Sequence, residues 1–446
     1  MVRFVKLTHR RPLLTRLGTS DSTIFKIREL QLLLDDVAAK LDVVDMPSWQ
    51  DHWSTACELH RSTLVDMVSR ADSRMLVNEL RADQVEEVLR TLHASLRSSE
   101  VPLLTDCVRE TYDRIAKFSR MEGLQMFDWY IPRQNVTVGD HIGSGTFGTV
   151  SHGMLSYGGS EKKVIVKELH KELANDSSSS GLFLDQLQFW DGLMKNEKIP
   201  KTHILSLIGG HHLGSPKLYV CEDAVNGDLL TFLGKAENQS LFFPMFLQVT
   251  EALMILHSND IVHGALKCNN ILIGKDNVVK LSDFGFSYIR SLSVELSSNK
   301  DKAMADAVRW KAKEMLEETA DPELRYTADI YSLGMCMIEA ITQAPPFEMC
   351  DDDEVMAMIM SGAGHPRPDN VPDETWDLIS DLCNADCRQR PTLDQVVQRM
   401  TELSLSERGS KGAENDIDPE VLPEAESDSQ NQAGICPECD FAEVQR

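Results

Sequence analysis

The sequence is short of positive charge and has no long apolar run. Lys and Arg account for 45 of its 446 residues and Asp and Glu for 70, so the formal net charge is −25. A surface that follows the phosphates of a nucleic acid needs the opposite balance, so we expect no nucleic-acid binding. No stretch of about 18 apolar residues occurs, so we expect no transmembrane segment.

The ten cysteines lack the regular spacing of a disulfide framework. Several lie in apolar or mixed segments, for instance Cys57, Cys221 and Cys336, which is typical of buried thiols in a reducing compartment. We therefore expect a cytoplasmic protein. Cys436 and Cys439 form a single C-x-x-C pair near the end, which is half of a zinc site, and we favour two exposed thiols over a metal centre.

Helical periodicity over residues 22–121 predicts an all-α helical bundle. The preceding residues 1–21 are basic, with no acid before Asp21, and we interpret them as a solvated tail, with an organelle transit peptide as the alternative. We expect four apolar stripes to form one closed core, and His60 to be a core residue. The stripes are Leu30, Leu34, Val37 and Leu41, and those within residues 53–64, 76–96 and 104–118.

After a linker over residues 122–135, the pattern changes to short strands such as 163–166, and helical periodicity returns from Phe242. A small strand-rich part followed by a larger helical part predicts an α+β domain with two lobes over residues 136–402. Residues 403–446 are polar and acidic, so we expect them to form a disordered tail.

Five motifs in a fixed order point to phosphate chemistry. Gly143, Gly145 and Gly148 form a G-x-G-x-x-G stretch between strands, where glycine lets backbone N–H groups approach phosphate oxygens. Lys167 ends an apolar strand, and a lysine there needs an anionic partner such as the phosphates of ATP. The other motifs are His263-Gly264-Ala265-Leu266-Lys267-Cys268-Asn269-Asn270, Asp283-Phe284-Gly285 and Trp310-Lys311-Ala312-Lys313-Glu314.

This ordered set resembles the protein kinases of the tyrosine-kinase-like group. The resemblance extends over residues 138–400 and implies a bilobal fold that binds ATP and Mg²⁺. It assigns the metal to Asn270 and Asp283, the α- and β-phosphates to Lys167 and the γ-phosphate to Lys267. The remaining residues implied to contact the nucleotide are Ile142, Gly143, Gly145, Gly148, Val150, Cys221 at the gatekeeper position, Glu222, Ala224 and Leu272.

Four departures from the family pattern weaken the catalytic assignment. Ala265 replaces the aspartate that orients and deprotonates the substrate hydroxyl, and a methyl group can do neither. Gln186 falls where the family has the glutamate that neutralises Lys167. Ile165 replaces an alanine beside the adenine, and Lys313 replaces a proline after the activation segment.

The leading hypothesis is a pseudokinase that binds ATP and acts as a switch or scaffold, with protein partners through the bundle and the C-lobe. The alternative is a low-activity serine/threonine kinase, since phosphoryl transfer depends mostly on positioning and charge neutralisation. A third hypothesis makes the helical bundle the effector, acting on membranes or partners. The resemblance also predicts phosphorylation sites among residues 287–298 and an ion pair between Arg390 and Glu314.

Overall fold

The computed structural model describes residues 8–41, 49–98, 102–145, 148–157, 160–170, 177–284, 308–317 and 322–413. The chain divides into a unit over residues 1–403 and a segment from residue 404. In that segment, predicted to be disordered, a helix continues to Ala413. The predicted phosphorylation sites at 287–298 and the pair Cys436 and Cys439 lie outside the described residues.

In the described part of the chain, six helices precede the first strand. They are α1 (Leu13–Gly18), α2 (Ser20–Lys40), α3 (Gln50–Arg70), α4 (Ser73–Asn78), α5 (Gln84–Ser98) and α6 (Pro102–Phe118). The apolar faces of α1, α3, α5 and α6 meet in one core, where Leu14, Leu17, Leu64, Leu92 and Ile115 are fully buried. Burial of these faces, rather than helix propensity, stabilises such short helices.

Two features of these helices differ from the sequence-based prediction. The segment predicted as a solvated tail contains α1, whose Leu14 and Leu17 are fully buried. The apolar stripe of α2, predicted to join the core, lies outside it, and α1 packs against α3 and α5 instead. Leu34, Val37 and Leu41 are 42%, 49% and 70% exposed.

A five-stranded sheet follows, as predicted for the smaller lobe. Its strands are β1 (Val136–Ser144), β2 (Gly148–Tyr157), β3 (Ser160–Leu169), β4 (Leu207–His211) and β5 (Leu218–Cys221), in the antiparallel order β1-β2-β3-β5-β4. Alternation along β3 sends Val164 and Val166 into an apolar cluster with Val220. Ile165 and Lys167 therefore point to the opposite face, which carries the helix α7 (Ser177–Lys195).

The larger lobe is helical, which confirms the predicted α+β fold. It contains α8 (Leu229–Leu233), α9 (Phe242–His257), the hairpin β6 (Ile271–Ile273) and β7 (Val279–Leu281), α10 (Lys313–Leu316), α11 (Pro322–Thr342), α12 (Asp352–Ser361), α13 (Asp373–Leu382) and α14 (Leu393–Ala413). Short 3₁₀ turns lie at Arg133–Asn135, Ala236–Leu241, Cys268–Asn270, Lys275–Asn277 and Cys387–Gln389.

One described helical stretch, Ala236–His257, is long and apolar enough to cross a membrane by length and composition. Its main part, α9, has eight buried residues, and Phe246, Val249 and Leu253 are fully buried in the core of the helical lobe. Packing in this core accounts for the apolar character of the stretch.

The predicted linker is packed against the small lobe. The Ile131 N–H donates to the Gly210 carbonyl oxygen, and the Gly210 N–H donates to the Trp129 carbonyl oxygen, each at 2.9 Å. Trp129, Tyr130 and Ile131 are buried. A Cβ atom on Gly209 would lie 2.2 Å from the carbonyl oxygen of Trp129, so only glycine allows this approach.

The same segment connects the N-terminal helices to α7. Asp128 accepts hydrogen bonds from Lys195 at the end of α7, at 3.1 Å, and from Arg97 of α5, at 3.4 Å. The guanidinium of Arg90 lies 4.7 Å from the ring centre of Phe127 and donates to the Gln125 carbonyl at 2.7 Å. Asp128 therefore bridges α5 and the helix that carries Gln186.

Candidate nucleotide-binding site

Lys167 and Asp283 form the charged centre of the cleft between the two lobes. The ammonium group of Lys167 donates to both carboxylate oxygens of Asp283 at 2.6 Å. Their side chains are only 18% and 16% exposed, so each charge needs the other or a ligand. Asp283 has a φ of 60°, a left-handed backbone conformation that aspartate adopts more readily than most residues. The predicted proximity of these two residues is confirmed.

The glycine-rich hairpin lies between β1 and β2. His170 contacts the carbonyl oxygen of Gly145 through its Nε2 atom at 2.8 Å, and the N–H of Gly145 donates to Gly148 at 2.9 Å. A Cβ atom on Gly143 or Gly145 would meet open space, whereas one on Gly148 would lie 2.1 Å from the Glu168 carbonyl oxygen. Gly148 thus permits close strand pairing, and Gly143 and Gly145 leave backbone accessible to a ligand.

The sheet register places the predicted adenine contacts on one face. Ile165 lies directly opposite Cys221, and Val150 opposite Lys167, and opposite residues of antiparallel strands share a face. Cys221 is buried, which raises the pKa of its thiol to about 12. Ile165 is half-buried and lies on the same face as Cys221.

The segment after β5 is held by side-chain contacts. The Glu222 carboxylate accepts from the Ser206 N–H at 2.7 Å and from Lys280 at 2.9 Å. The Ala224 carbonyl accepts from the Gly227 N–H at 2.9 Å. Leu272 on β6 is half-buried and Ile142 on β1 is 51% exposed. The two sides of the predicted adenine pocket therefore come from different lobes.

Asp329 of α11 binds the backbone of residues 263–270, the catalytic loop. Its carboxylate accepts from the backbone N–H groups of His263 and Gly264, both at 2.8 Å, and contacts His257 at 2.9 Å. Gly264 has a φ of 69°, which glycine adopts without steric cost. Asp329 gives this loop a fixed backbone.

Ala265 occupies the loop position where the predicted base is missing. Its carbonyl oxygen accepts from Asn270 Nδ2 at 2.7 Å, which leaves Asn270 Oδ1 as the atom suited to a metal. The Ser282 N–H donates to the Asn270 carbonyl at 2.9 Å and so connects this residue to the strand end before Asp283. Between residues 263 and 270 the sequence contains no carboxylate, and Lys267 lies 5.7 Å from the Trp310 ring centre.

Gln186 does not take the role of the missing glutamate through an ion pair. Its amide donates to the Phe284 carbonyl oxygen at 3.5 Å, while Asp185, one residue earlier, is exposed. Four residues along α7, Trp190 contacts the Phe284 ring edge-on at 5.8 Å, and Phe284 contacts His263 at 6.4 Å. This column of rings joins α7 to the catalytic loop.

The C-lobe ion pair is also present as predicted. Arg390 donates to both carboxylate oxygens of Glu314, and the two side chains are buried. Lys313, which replaces a proline, instead forms a half-exposed ion pair with Glu317 at 3.6 Å. No role was predicted from the sequence for Asp329 or His170. Only Asp329 had a sequence signal, since it begins the Asp-Ile-Tyr-Ser-Leu-Gly motif.

The residues present fit a nucleotide with a divalent cation. A buried ammonium and carboxylate, a free amide oxygen and an open glycine backbone converge on one cleft. These are the groups that bind phosphates and Mg²⁺. The group that would receive a proton from a substrate hydroxyl is absent from the catalytic loop.

Comparison with known proteins agrees with this geometry. Residues 136–400 match the family described as protein tyrosine and serine/threonine kinase. The chain is 31% identical over 265 residues to mitogen-activated protein kinase kinase kinase 1a of Physcomitrium patens, covering 58% of this chain and 32% of that protein. It is 28% identical over 272 residues to a probable serine/threonine-protein kinase of Dictyostelium discoideum, covering 60% and 51%.

A third relative is the insulin-like growth factor 1 receptor of Bos taurus, 24% identical over 289 residues, covering 62% of this chain and 43% of the receptor. The chain thus spans between a third and about half of the length of these curated relatives. Its match to the family description covers more than half of its own residues and includes the glycine-rich hairpin, Lys167, the catalytic loop and Asp283. The chain therefore belongs to the protein tyrosine and serine/threonine kinase family.

Proposed function

We propose that this kinase domain binds ATP with Mg²⁺ and acts as a pseudokinase switch or scaffold. The observation that carries the proposal is the combination of an intact Lys167–Asp283 pair with Ala265 in the catalytic loop. The first supplies charges for phosphate and metal, and the second removes the general base, which costs about 10²–10⁴-fold in rate.

Nucleotide binding is expected to be weaker than in a complete kinase. Gln186 cannot neutralise Lys167, and Ile165 narrows the cleft opposite Cys221. In this proposal Lys167 holds the α- and β-phosphates, Asp283 and Asn270 hold the metal, and backbone groups of residues 222–224 bind the adenine. In this proposal, nucleotide binding brings the glycine-rich hairpin against the C-lobe. A protein partner that contacts the bundle or the C-lobe would recognise this change in conformation.

The second candidate function is a slow serine/threonine kinase. Lys267 and the Asn270–Ala265 hydrogen bond keep the shape of the catalytic loop, and positioning supplies much of the acceleration in phosphoryl transfer. One relative is named as a probable serine/threonine-protein kinase, which supports this substrate class. Membership of the tyrosine-kinase-like group and a cytoplasmic location are further parts of the proposal.

Calorimetry on the full chain tests nucleotide binding. ATP should bind with Mg²⁺ and more weakly with a chelator, and Lys167→Ala should abolish binding. Lys163→Ala, on the same strand but exposed, is the matched control and should bind as the wild type does. Absence of heat and of thermal stabilisation with either Mg²⁺ or Mn²⁺ would contradict the proposal.

A further inference from the structure

A second cleft lies where the N-terminal helices meet the start of β1. Its volume is about 160 Å³, and its walls include Arg11 before α1, Glu87 and Thr91 on α5, and Gln134 before β1. None of its lining residues belongs to the nucleotide site. The cleft connects the part of the chain before the kinase domain with the first strand of that domain.

The cleft contains positive charge without a matching acid. Arg11 is half-buried, and its guanidinium forms no hydrogen bond or ion pair with the residues that the structure describes. Lys26 of α2 donates to the Gln134 carbonyl at 2.9 Å. Burial first, and then repulsion from Arg11, lower the pKa of Lys26 to about 8, although Glu161 acts in the opposite direction. Both cations lie beside Gln134, because Arg11 and Gln134 line the same cleft and Lys26 donates to the Gln134 carbonyl oxygen.

The one acid among the named lining residues does not neutralise this pair. Glu87 forms a hydrogen bond with the Gln134 side chain, and burial raises the pKa of its carboxyl group. Its carboxylate also lies 3.9 Å from His211 on β4. Glu87 thus has partners of its own in Gln134 and His211.

The amide oxygen of Gln134 is the second unsatisfied group. Gln134 Oε1 is buried and accepts no hydrogen bond in the described structure, although buried polar atoms nearly always have a partner. An amide oxygen only accepts hydrogen bonds, so its partner in a ligand must be a donor such as a hydroxyl group. A ligand that satisfies the cleft must therefore offer negative charge at one end and a hydrogen-bond donor at the other.

We propose that this cleft binds a small phosphate monoester that carries a free hydroxyl group. The phosphate dianion lies between Arg11 and Lys26, because two neighbouring cations favour a doubly charged group over a single carboxylate. The hydroxyl donates to Gln134 Oε1. Since Arg11 precedes α1 and Gln134 precedes β1, the bound ligand stabilises the contact between the N-terminal helices and the kinase domain.

Thermal unfolding and calorimetry on the full chain test the proposal, with glycerol 3-phosphate as the probe and inorganic phosphate and sulfate for comparison. Glycerol 3-phosphate should bind saturably and raise the melting temperature, and sulfate, which lacks a donor, should bind more weakly. Arg11→Gln and Lys26→Met should each weaken binding at least about tenfold. Arg10→Gln, at an exposed neighbouring position, should change nothing.

Two further variants separate the groups involved. Gln134→Met should remove the preference for glycerol 3-phosphate over sulfate. Lys167→Ala should leave phosphate-ester binding intact, because the two sites share no residue, and its loss there would assign the binding to the nucleotide cleft and overturn the proposal. No saturable binding, or equal binding in Arg10→Gln and in folded Arg11→Gln and Lys26→Met, would also overturn it.

Discussion

Lys167 and Asp283 are 116 residues apart in the sequence, yet the ammonium of one contacts both carboxylate oxygens of the other at 2.6 Å. In a complete kinase a glutamate on the helix packed against β3 would share the lysine. Here that helix supplies Gln186, which is directed to the Phe284 carbonyl. A metal ion that binds Asp283 must therefore displace Lys167, and the phosphates of the nucleotide are the only anions expected to replace Asp283 as its partner.

Removing one member of this pair should destabilise the protein without ligand. Asp283→Asn leaves the Lys167 ammonium in a mostly buried site without an anion, and we expect a loss of roughly 1–3 kcal/mol in the free energy of unfolding. The double change Lys167→Met with Asp283→Asn should recover part of that loss, because no charge remains buried. Urea denaturation of Asp283→Asn, of Lys167→Met and of the double variant measures both effects, and additive losses in the double variant would contradict the pairing.

Gly209 should be far less tolerant of alanine than Gly192. A Cβ atom on Gly209 would lie 2.2 Å from the Trp129 carbonyl oxygen, whereas one on Gly192 of α7 meets open space. Gly209→Ala should therefore cost about 1–3 kcal/mol, as expected for overpacking. Gly192→Ala should stabilise α7 by up to about 1 kcal/mol. Denaturation curves of the two variants provide the comparison, and similar losses for both would contradict the tight contact of the 129–131 segment with β4.

The two histidines at the end of β4 should make the protein sensitive to acid. Burial lowers the pKa of His211 to about 4 and that of His212 to about 3, whereas a histidine in the unfolded chain titrates near 6.5. Below pH 6.5 the unfolded state binds more protons than the folded state. The free energy of unfolding therefore decreases as the pH is lowered, until the pH reaches the pKa values of the folded state. The loss is roughly 2 kcal/mol for each histidine between pH 6.5 and 5.

His212→Phe tests this pH dependence because it removes the titrating group and keeps a ring beside Trp129, which His212 contacts edge-on at 5.3 Å. Unfolding free energies at pH 6.5 and 5 should differ less in this variant than in the wild type. His52→Phe, at an exposed position, is the control. An unchanged pH slope in His212→Phe would rule out the buried histidine as its cause.

Most of the fold could be predicted from the sequence. In these parts, the spacing of the apolar residues and the requirement of a buried charge for a partner indicate the same structure. The alternation at Val164 and Val166 defines a strand, and the lysine that ends it requires an anion, which the sequence analysis expected to be the phosphates of ATP. In the structure Asp283 is that anion. The exposed face of α2 could not be predicted, since Leu34 and Val37 have the same spacing as a buried stripe. Which stripe is buried depends on how the helices pack together, and here α1 contributes to the core in place of α2.

The nucleotide site could likewise be predicted only in part. Motif residues such as Lys167 and Asp283 have a recognisable spacing. His170, which contacts the glycine-rich hairpin, has no such spacing, and the role of Asp329 could not be predicted from its motif, because both side chains bind backbone groups that any sequence provides. The cleft near Gln134 also gave no signal, since its lining residues come from three separate parts of the chain.

Phosphoryl transfer by the wild type and by Ala265→Asp tests the central claim most directly. The catalytic loop is held in shape by Asp329 and Asn270, so a carboxylate at position 265 should reach the place of the missing base. Radiolabel transfer from ATP to a generic protein substrate and to the chain itself measures the rate. Ala265→Gly, which adds no carboxylate, is the matched control, and Lys167→Ala should abolish any transfer that depends on this site.

We predict wild-type transfer about 10²–10⁴-fold below that of a complete kinase and a gain in Ala265→Asp. Gln186→Glu should increase that gain more than additively, because both groups assemble one site. Wild-type turnover in the ordinary range of about 1–100 per second, abolished by Lys167→Ala, would contradict the account.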